Sequence, residues 1–163
     1  MTRAIYAGSF DPFTMGHLNI VKRAANMFEE VIIAIGTNTS KNAMFSPEEK
    51  LAAIQEVVDT ASLDNVRVIL HTDGLTVDLA QAENATVMLR GIRSLTDMEY
   101  EMNIASMNKT QQPTIETVFL MADEKYRFVS SSLIKEVAMF DGDISGLVPD
   151  SIAKRVMEKY QNN

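Results

Sequence analysis

The sequence predicts an α/β fold, namely a single doubly wound, Rossmann-like domain with a five-stranded parallel sheet and helices on both faces. Short apolar runs that are typical of buried strands alternate with longer amphipathic runs that are typical of helices. Strands this apolar, separated by helices, indicate a parallel sheet that is covered on both faces. The chain shows no internal repeat or linker, so we expect residues 1–163 to form one domain.

The elements are predicted in order along the chain. Strands are predicted at 3–7, 31–35, 66–70, 86–89 and 117–121. Helices are predicted at 16–28, 47–61, 77–83, 95–109, 131–139 and 149–160. The second helix has the clearest start, because Ser46 and Glu49 have the spacing of a capping box and Pro47 takes the first helical position. Strand–helix–strand units cross over with the right hand, which predicts the doubly wound topology.

Glycines mark the carboxyl ends of the predicted strands. Gly8, Gly36 and Gly91 fall at three of these ends, and Gly74 lies in the loop after another strand. Ligands of open α/β sheets bind in the crevice outside the carboxyl ends of the strands. Glycines that merely end strands would explain one or two of these positions, so the full set favours a ligand crevice.

Composition and charge exclude several classes of function. The absence of cysteine excludes disulfides, thiol catalysis and cysteine-ligated zinc, and it favours the cytoplasm. A net charge of −7 argues against broad nucleic-acid binding, which needs a basic surface. No segment is long and apolar enough to span a bilayer, and we expect neither a membrane association nor a signal peptide. Neither G-x-G-x-x-G nor G-x-x-x-x-G-K-[ST] is present, which disfavours NAD-type dehydrogenases and P-loop NTPases.

The most informative segment joins the first strand to the first helix and reads Gly8-Ser9-Phe10-Asp11-Pro12-Phe13-Thr14-Met15-Gly16-His17. Such a connection points the N–H groups and the partial positive charge of the helix at one place, which suits phosphate. A lone histidine is more often structural, but the position of His17 in the first helical turn favours a role in ligand binding. Ser9 and the N–H of Phe10 offer further donors. Asp11 would repel phosphate, so we expect it to bond loop amides.

Cations follow two other strands. Arg90-Gly91-Ile92-Arg93 places two guanidinium groups at the end of the fourth strand, and their planar donors suit phosphate oxygens. The alternative is a solvated pair of arginines at a helix start. Lys41 lies in the loop after the second strand. It would be an ordinary surface lysine if it stood alone, but its loop leaves a neighbouring strand end and allows it to reach the same crevice.

Serines and methionines mark two of the later helices. The segment before residue 133 reads Tyr126-Arg127-Phe128-Val129-Ser130-Ser131-Ser132. Serines at a helix start cap the helix and also present hydroxyl and N–H groups to an anion, and the residues alone leave both roles open. The helix predicted at 95–109 carries a stripe of Leu95, Met98, Met102 and Ala105, which indicates core packing or a subunit contact.

The segment Thr14-Met15-Gly16-His17 resembles the Thr/His-x-Gly-His signature of the HxGH-type nucleotidyltransferase superfamily. With the arginine and serine segments, essentially the whole chain is similar to the bacterial phosphopantetheine adenylyltransferase family. Ser9 stands where many members carry threonine, and Val129 stands where the superfamily motif has isoleucine. Both departures are conservative.

The resemblance implies one nucleotidyltransferase domain over 1–163 and a set of site residues. His17 would stabilise the pentacoordinate transition state, and Lys41 and Arg93 would assist it. The substrate 4′-phosphopantetheine would be bound by Ser9, Lys41, Thr76 and Arg90. ATP would be bound by Ser9, Phe10, His17, Gly91, Ile92, Arg93, Glu101, Tyr126, Arg127, Phe128, Val129, Ser130, Ser131 and Ser132.

The implied reaction transfers AMP from ATP to 4′-phosphopantetheine by direct in-line attack, giving dephospho-coenzyme A and pyrophosphate. A Mg²⁺ ion that bridges the ATP phosphates is expected, although no carboxylate cluster that could hold it is visible in the sequence. The resemblance also implies a homohexamer and feedback inhibition by coenzyme A.

Two alternatives remain open at this point. Another small nucleotidyltransferase, such as a cytidylyltransferase or a nicotinate-nucleotide adenylyltransferase, would share the N-terminal loop, although the stretch 90–101 fits the pantetheine enzymes better. A module that binds adenine nucleotides without chemistry would keep the glycines and arginines but would not need His17.

Overall fold

The computed structural model describes residues 1–37 and 42–162. The strands are β1 (Arg3–Gly8), β2 (Glu30–Gly36), β3 (Val66–His71), β4 (Val87–Ile92) and β5 (Glu116–Met121). The helices are α1 (Met15–Met27), α2 (Pro47–Thr60), α3 (Thr76–Ala82), α4 (Leu95–Gln111), α5 (Ser131–Met139) and α6 (Asp150–Gln161), with a 3₁₀ turn at Glu124–Tyr126. Across the described residues, none of the helices combines the length and apolar character needed to cross a bilayer.

The strands form one parallel sheet in the order β3-β2-β1-β4-β5. The chain builds outward from β1 to β3 on one side and then returns to place β4 on the other side of β1. The order therefore reverses between β1 and β4, and this switch point is where open α/β sheets bind ligands. The predicted five-stranded parallel sheet is confirmed.

Helices cover both faces of the sheet because successive strand side chains point to opposite faces. On one face Ile5 of β1 and Ile32 of β2 pack with Val77 of α3, and on the other face Ile33 packs with Val21 of α1. These side chains are fully buried, and each contributes on the order of 2 kcal/mol of transfer free energy. The sheet is therefore a rigid base for the loops at its carboxyl edge.

The fourth strand is longer than predicted. The prediction ended it at residue 89, but β4 continues through Arg90, Gly91 and Ile92, which pair with 119–121 of β5. Gly91 therefore lies inside the strand instead of ending it, so that part of the glycine argument is wrong. A Cβ atom at Gly91 would lie 3.3 Å from Cγ1 of Ile20, so glycine serves close packing of α1 against the strand here. The extension carries Arg90 and its neighbours to the crevice.

Candidate active site

A cleft opens at the switch point, over the carboxyl ends of β1 and β4. Its walls come from the loop after β1, from the start of α1, from the end of β4 with the start of α4, and from the start of α5. The predicted residues that line it are Ser9, Phe10, His17, Arg90, Gly91, Arg93, Glu101, Tyr126, Val129, Ser130, Ser131 and Ser132. Segments far apart in sequence thus meet around one space.

His17 is fixed by a capping box at the start of α1. The side chain of Thr14, the N-cap residue, accepts the N–H of His17 at 3.3 Å, and the N–H of Thr14 donates to Nδ1 of His17 at 2.9 Å. A backbone N–H can only donate, so Nδ1 carries no proton and the imidazole hydrogen lies on Nε2. Nε2 has no partner among the described residues, and the side chain lines the cleft. The capping geometry therefore presents a single N–H donor to whatever binds there.

The surroundings of His17 keep its ring neutral. The ring lies between Phe10 and Phe13, with centroid distances of 5.0 and 5.4 Å. Burial, followed by the positive charges of Arg93 and Arg90, lowers the pKa of His17 to about 3. At neutral pH the imidazole is uncharged, so it can donate a hydrogen bond but does not act as a general acid.

The loop after β1 is shaped by the packing of Phe10. Its side chain is buried, its ring lies 5.4 Å from that of Tyr6, and its backbone has a φ of 46°. This left-handed conformation is uncommon for a bulky residue and tends to occur at functional sites. A Cβ atom at Gly8 would lie 3.1 Å from Cζ of Phe10, so glycine at the strand end lets the ring pack closely against it. Because the ring is buried, the backbone of Phe10 is the part available to a ligand.

Arg90 is held by a carboxylate and a carbonyl. Its Nε donates to Oε2 of Glu101 and its Nη2 donates to Oε1, both at 2.7 Å, and its Nη1 donates to the carbonyl of Ala7 at 2.9 Å. Burial alone would lower the pKa of Arg90, but hydrogen bonds and the charge of Glu101 outweigh it and raise the pKa. The guanidinium is therefore charged and fixed in orientation. The prediction placed Glu101 at the nucleotide, and the structure places it against this arginine, at the wall of the cleft.

Arg93 stands at the start of α4 with a looser partner. Its Nε lies 3.5 Å from Oδ2 of Asp97, which also accepts the N–H of Arg93 at 3.1 Å. The side chain of Ser94 caps the helix by accepting the N–H of Asp97. Arg93 is exposed and has a single monodentate partner, so it is freer to turn towards a ligand than Arg90 is.

The serines at the start of α5 cap the helix and line the cleft. Ser130 is the N-cap residue, and its hydroxyl accepts the N–H of Leu133 at 3.1 Å. The hydroxyl of Ser131 donates to the carbonyl of Pro12 at 2.8 Å. Within the described part of the chain, the N–H groups of Ser131 and Ser132 have no acceptor, because they belong to the first helical turn. Both residues line the cleft, so the positive end of the α5 dipole lies at its wall.

Four predicted residues do not line the cleft, and one lies outside the described residues. Ile92 is only 1% exposed, so its side chain packs in the core. Arg127 and Phe128 lie on the exposed turn before α5, and Thr76 begins α3. Lys41 falls in the segment that the structure does not describe.

Tyr6 lines the cleft but was not predicted as a site residue. Its side chain lines the cleft from β1, its hydroxyl has no partner among the described residues, and burial raises its pKa well above the usual range. The available signal was its place in the strand, because a residue on the same face two positions before Gly8 lies at the carboxyl edge. Thr14 was quoted only as part of the signature, and its spacing to His17 is that of a capping box.

Within residues 1–37 and 42–162, no three His, Cys, Asp or Glu side chains come together in a way that could hold a metal ion. The cleft carboxylates of Glu101 and Asp97 are both engaged with arginines. These side chains therefore fit a metal ion only where the ligand itself supplies most of the oxygens.

The chain is similar to known proteins along its whole length. Residues 5–137 match the family described as cytidylyltransferase-like. The chain is 45% identical over 163 residues to the phosphopantetheine adenylyltransferase of Levilactobacillus brevis, covering 100% of this chain and 99% of that protein. It is 49% identical over 156 residues to the phosphopantetheine adenylyltransferase of Lacticaseibacillus casei, covering 96% of this chain and 92% of that protein.

A solved structure from Vibrio parahaemolyticus, assigned as a nicotinate-nucleotide adenylyltransferase, superposes with a TM-score of 0.74 at 15% identity, covering 100% of this chain and 98% of that chain. At this identity the likeness shows the fold alone. The resemblance stated from the sequence is confirmed by the full-length relatives. The chain therefore belongs to the cytidylyltransferase-like nucleotidyltransferases, and within them to the phosphopantetheine adenylyltransferase family.

Proposed function

We propose that the protein transfers AMP from ATP to 4′-phosphopantetheine, giving dephospho-coenzyme A and pyrophosphate. The observation that carries this proposal is the Nε2–H of a neutral His17 in a cleft that two arginines and the start of α5 also line. The names of the full-length relatives support the same substrates. Both substrates carry phosphate groups, which fits the gathering of cations at this one place in a chain of net charge −7.

The proposed reaction is a direct displacement at the α-phosphorus. An oxygen of the 4′-phosphate attacks the α-phosphorus, the bond to the bridging oxygen breaks, and pyrophosphate leaves with that electron pair. The attacking phosphate is already ionised at neutral pH, so no general base is required. Without cysteine, catalysis rests on positioning and charge stabilisation.

The roles of the residues follow from their donors. His17 would donate its Nε2–H to an α-phosphate oxygen, where charge develops in the transition state. Arg93, with its single monodentate partner, would turn to the phosphates of ATP. Lys41 stays a predicted partner of the transferred phosphate. The N–H groups at the start of α5 would bind the β- and γ-phosphates.

The acceptor would bind on the other side of the cleft. Arg90 is fixed by Glu101 and offers its remaining donors to the acceptor phosphate. Ser9 would bind the same phosphate with its hydroxyl, and Thr76 at the start of α3 would contact the pantetheine arm through its backbone. Coenzyme A carries this same arm, which is why we propose it as a feedback inhibitor that competes for the site.

Magnesium enters this proposal with the nucleotide. Since the cleft carboxylates are engaged, Mg²⁺ would be held by ATP phosphate oxygens and water, and it would neutralise charge on the leaving pyrophosphate. Arg93 and the N–H groups at the start of α5 would orient the phosphates that carry it.

We also propose that the protein is a homohexamer in the cytoplasm. The outward side of α4 carries large apolar side chains that are exposed in the single chain, namely Leu95, Tyr100, Met102 and Met107. Exposed apolar surface of this kind usually marks an interface, and the methionine stripe was predicted as a core or subunit contact. Light scattering would test the state directly, and Met102→Glu with Met107→Glu should yield smaller species.

The enzymatic proposal is tested by product formation with matched variants. Purified protein is mixed with MgATP and 4′-phosphopantetheine, and dephospho-coenzyme A is measured by mass spectrometry. We expect His17→Ala to lower kcat by about 10²–10³-fold, because it removes one donor to the transition state. His71→Ala is the control, since it removes the only other histidine, which lies outside the cleft.

The same assay separates the alternatives. Pyrophosphate release with CTP, or with nicotinate mononucleotide as acceptor, would identify one of the other nucleotidyltransferases. Tight ATP binding without any product would identify a sensor module. A His17→Ala enzyme with a kcat close to that of wild type would remove His17 from the mechanism.

A further inference from the structure

Asp11 is a buried carboxylate that does not line the cleft. It lies six residues before His17 on the loop after β1, and only 5% of its surface is exposed. Burying a carboxylate is unfavourable unless it is paired and hydrogen-bonded. The prediction that Asp11 bonds loop amides is confirmed, and the loop that supplies them is the one before α2.

The partners of Asp11 belong to two other segments. Its Oδ2 accepts the N–H of Met44 at 2.9 Å and its Oδ1 accepts the N–H of Phe45 at 3.0 Å, in the segment that leads into α2. Its Oδ2 also accepts a hydrogen bond from Nζ of Lys135 on α5, at 3.2 Å. One carboxylate thus joins the loop after β1 to the segment before α2 and to α5.

A second bond links the same loop to the same helix. Ser131 donates its hydroxyl to the carbonyl of Pro12, and Lys135 follows Ser131 by four residues, which places both on one face of α5. Residues 11 and 12 are therefore attached to two successive turns of α5. Ile134 and Ala138 also pack in the core, and the hydroxyl of Tyr160 donates to the carbonyl of Lys135, so these contacts hold the body of α5. The two bonds to residues 11 and 12 are what join the start of the helix to the loop after β1.

We propose that Asp11 and Lys135 are positioning residues that hold the start of α5 at its working distance from His17. This inference rests on the proposed function. The loop after β1 carries Ser9 and Phe10 on one wall of the cleft, and α5 carries Ser130–Ser132 on another. If the bond between Asp11 and Lys135 is lost, Ser131 alone joins the loop to the start of α5, and the N–H groups there can shift relative to His17 and the ATP phosphates.

The size of the effect follows from the sensitivity of displacement reactions to geometry. A shift of about 1 Å in a positioned group can lower the rate about 10²-fold. The remaining Ser131 bond limits the shift, so we expect Lys135→Met to lower kcat/KM for ATP by about 10-fold. Arg90, the proposed main contact of the acceptor phosphate, is held by Glu101 and Ala7 and by no residue of α5. KM for 4′-phosphopantetheine should therefore stay within about twofold of the wild-type value.

Lys50 provides a matched control. It is 2% exposed on α2, its Nζ has no partner among the described residues, and burial lowers its pKa while the charge of Asp11 opposes that effect. Lys50→Met and Lys135→Met each remove one cation near Asp11, but only Lys135→Met breaks an attachment of α5. Lys50→Met should therefore leave the ratio of the two KM values unchanged.

The decisive experiment measures both KM values and kcat for Lys135→Met, Lys135→Arg, Lys50→Met, Asp11→Asn and the double variant Asp11→Asn with Lys135→Met. Lys135→Arg should keep most of the wild-type kcat/KM for ATP, because it keeps a charged donor at the same site. Since Asp11 and Lys135 form one link, the double variant should lose little more than Asp11→Asn alone.

The outcomes decide the inference whatever happens to any one variant. If Asp11→Asn does not fold, Lys135→Met still decides, because its side chain is 30% exposed and its loss leaves no buried cavity. If Lys135→Met matches Lys50→Met in both KM values and in kcat, the inference is wrong. If the wild-type protein forms no dephospho-coenzyme A, the proposed function fails instead. ATP affinities from calorimetry on the same variants then test the attachment separately.

Discussion

Replacing Glu101 with glutamine is expected to loosen Arg90 and to weaken both the fold and acceptor binding. Glu101 accepts two hydrogen bonds of 2.7 Å from Arg90, and the glutamine keeps one carbonyl oxygen but turns an NH₂ group towards a guanidinium donor. Arg90 would keep its bond to the carbonyl of Ala7. The variant thus removes one charge and one bond while it leaves the size of the side chain unchanged.

The magnitude follows from the burial of the pair. Breaking a fully buried ion pair costs about 3–5 kcal/mol, and an exposed pair contributes about 0–1 kcal/mol. The side chain of Glu101 is 10% exposed and that of Arg90 is 28% exposed, so the pair lies between these limits. We expect a loss of about 2 kcal/mol in the free energy of unfolding. For a chain of this length, that corresponds to a fall in Tm of about 4–8 °C.

The assay combines urea unfolding with steady-state kinetics. Glu99→Gln is the matched control, because Glu99 lies on the same helix and is exposed. We expect Glu101→Gln to raise KM for 4′-phosphopantetheine about 10-fold, which equals about 1.4 kcal/mol, because Arg90 must be ordered again on binding. A variant with the stability and the KM of Glu99→Gln would refute the reasoning that Glu101 orients Arg90.

Two further predictions concern the imidazole and a helix end. His17 should show the ¹⁵N shifts of the Nε2–H tautomer at pH 7. The pKa of His17 is about 3 in the folded protein and 6.5 in the unfolded chain, so between these pH values the unfolded chain binds one more proton than the folded protein does. The contribution of His17 to the free energy of unfolding is therefore complete above pH 6.5 and decreases as the pH falls below it. Urea titrations at pH 7 and pH 5 should show that the wild-type protein loses about 1–2 kcal/mol more between these pH values than His17→Gln does. Gly142→Ala should lower the free energy of unfolding by about 1–3 kcal/mol, because the added Cβ would lie 2.6 Å from Cγ1 and 3.0 Å from the carbonyl oxygen of Val137, and a thermal melt would check it.

Much of the fold could be predicted because local pattern and burial agree in this chain. The apolar runs of β2 are buried on both sides, so they read as a strand without ambiguity. The end of β4 could not be predicted, because arginines next to a glycine look like a loop until β5 is there to pair with them. The residues that pair with 90–92 lie 29 positions further along the sequence, so no local pattern reveals them.

The residue types of the candidate site could be predicted from the sequence, but the contacts between those residues could not. Helix starts with spare N–H groups and arginines at strand ends point to an anion from sequence alone. The pairing of Glu101 with Arg90 and the attachment of Asp11 to Lys135 depend on distances across the fold. Lys135 is separated from Asp11 by 124 residues, so no spacing rule would have joined them.

The strand order also bears on how the chain is made on the ribosome. The first three strands, β1 to β3, are adjacent in the sheet and can pair as soon as they emerge. The other side of β1 then stays open until β4 is synthesised, and an unpaired apolar strand edge invites association with other chains. A chain whose translation halts before residue 87 would therefore expose the unpaired edge of β1 and be prone to aggregate. Synthesis of β4 covers that edge.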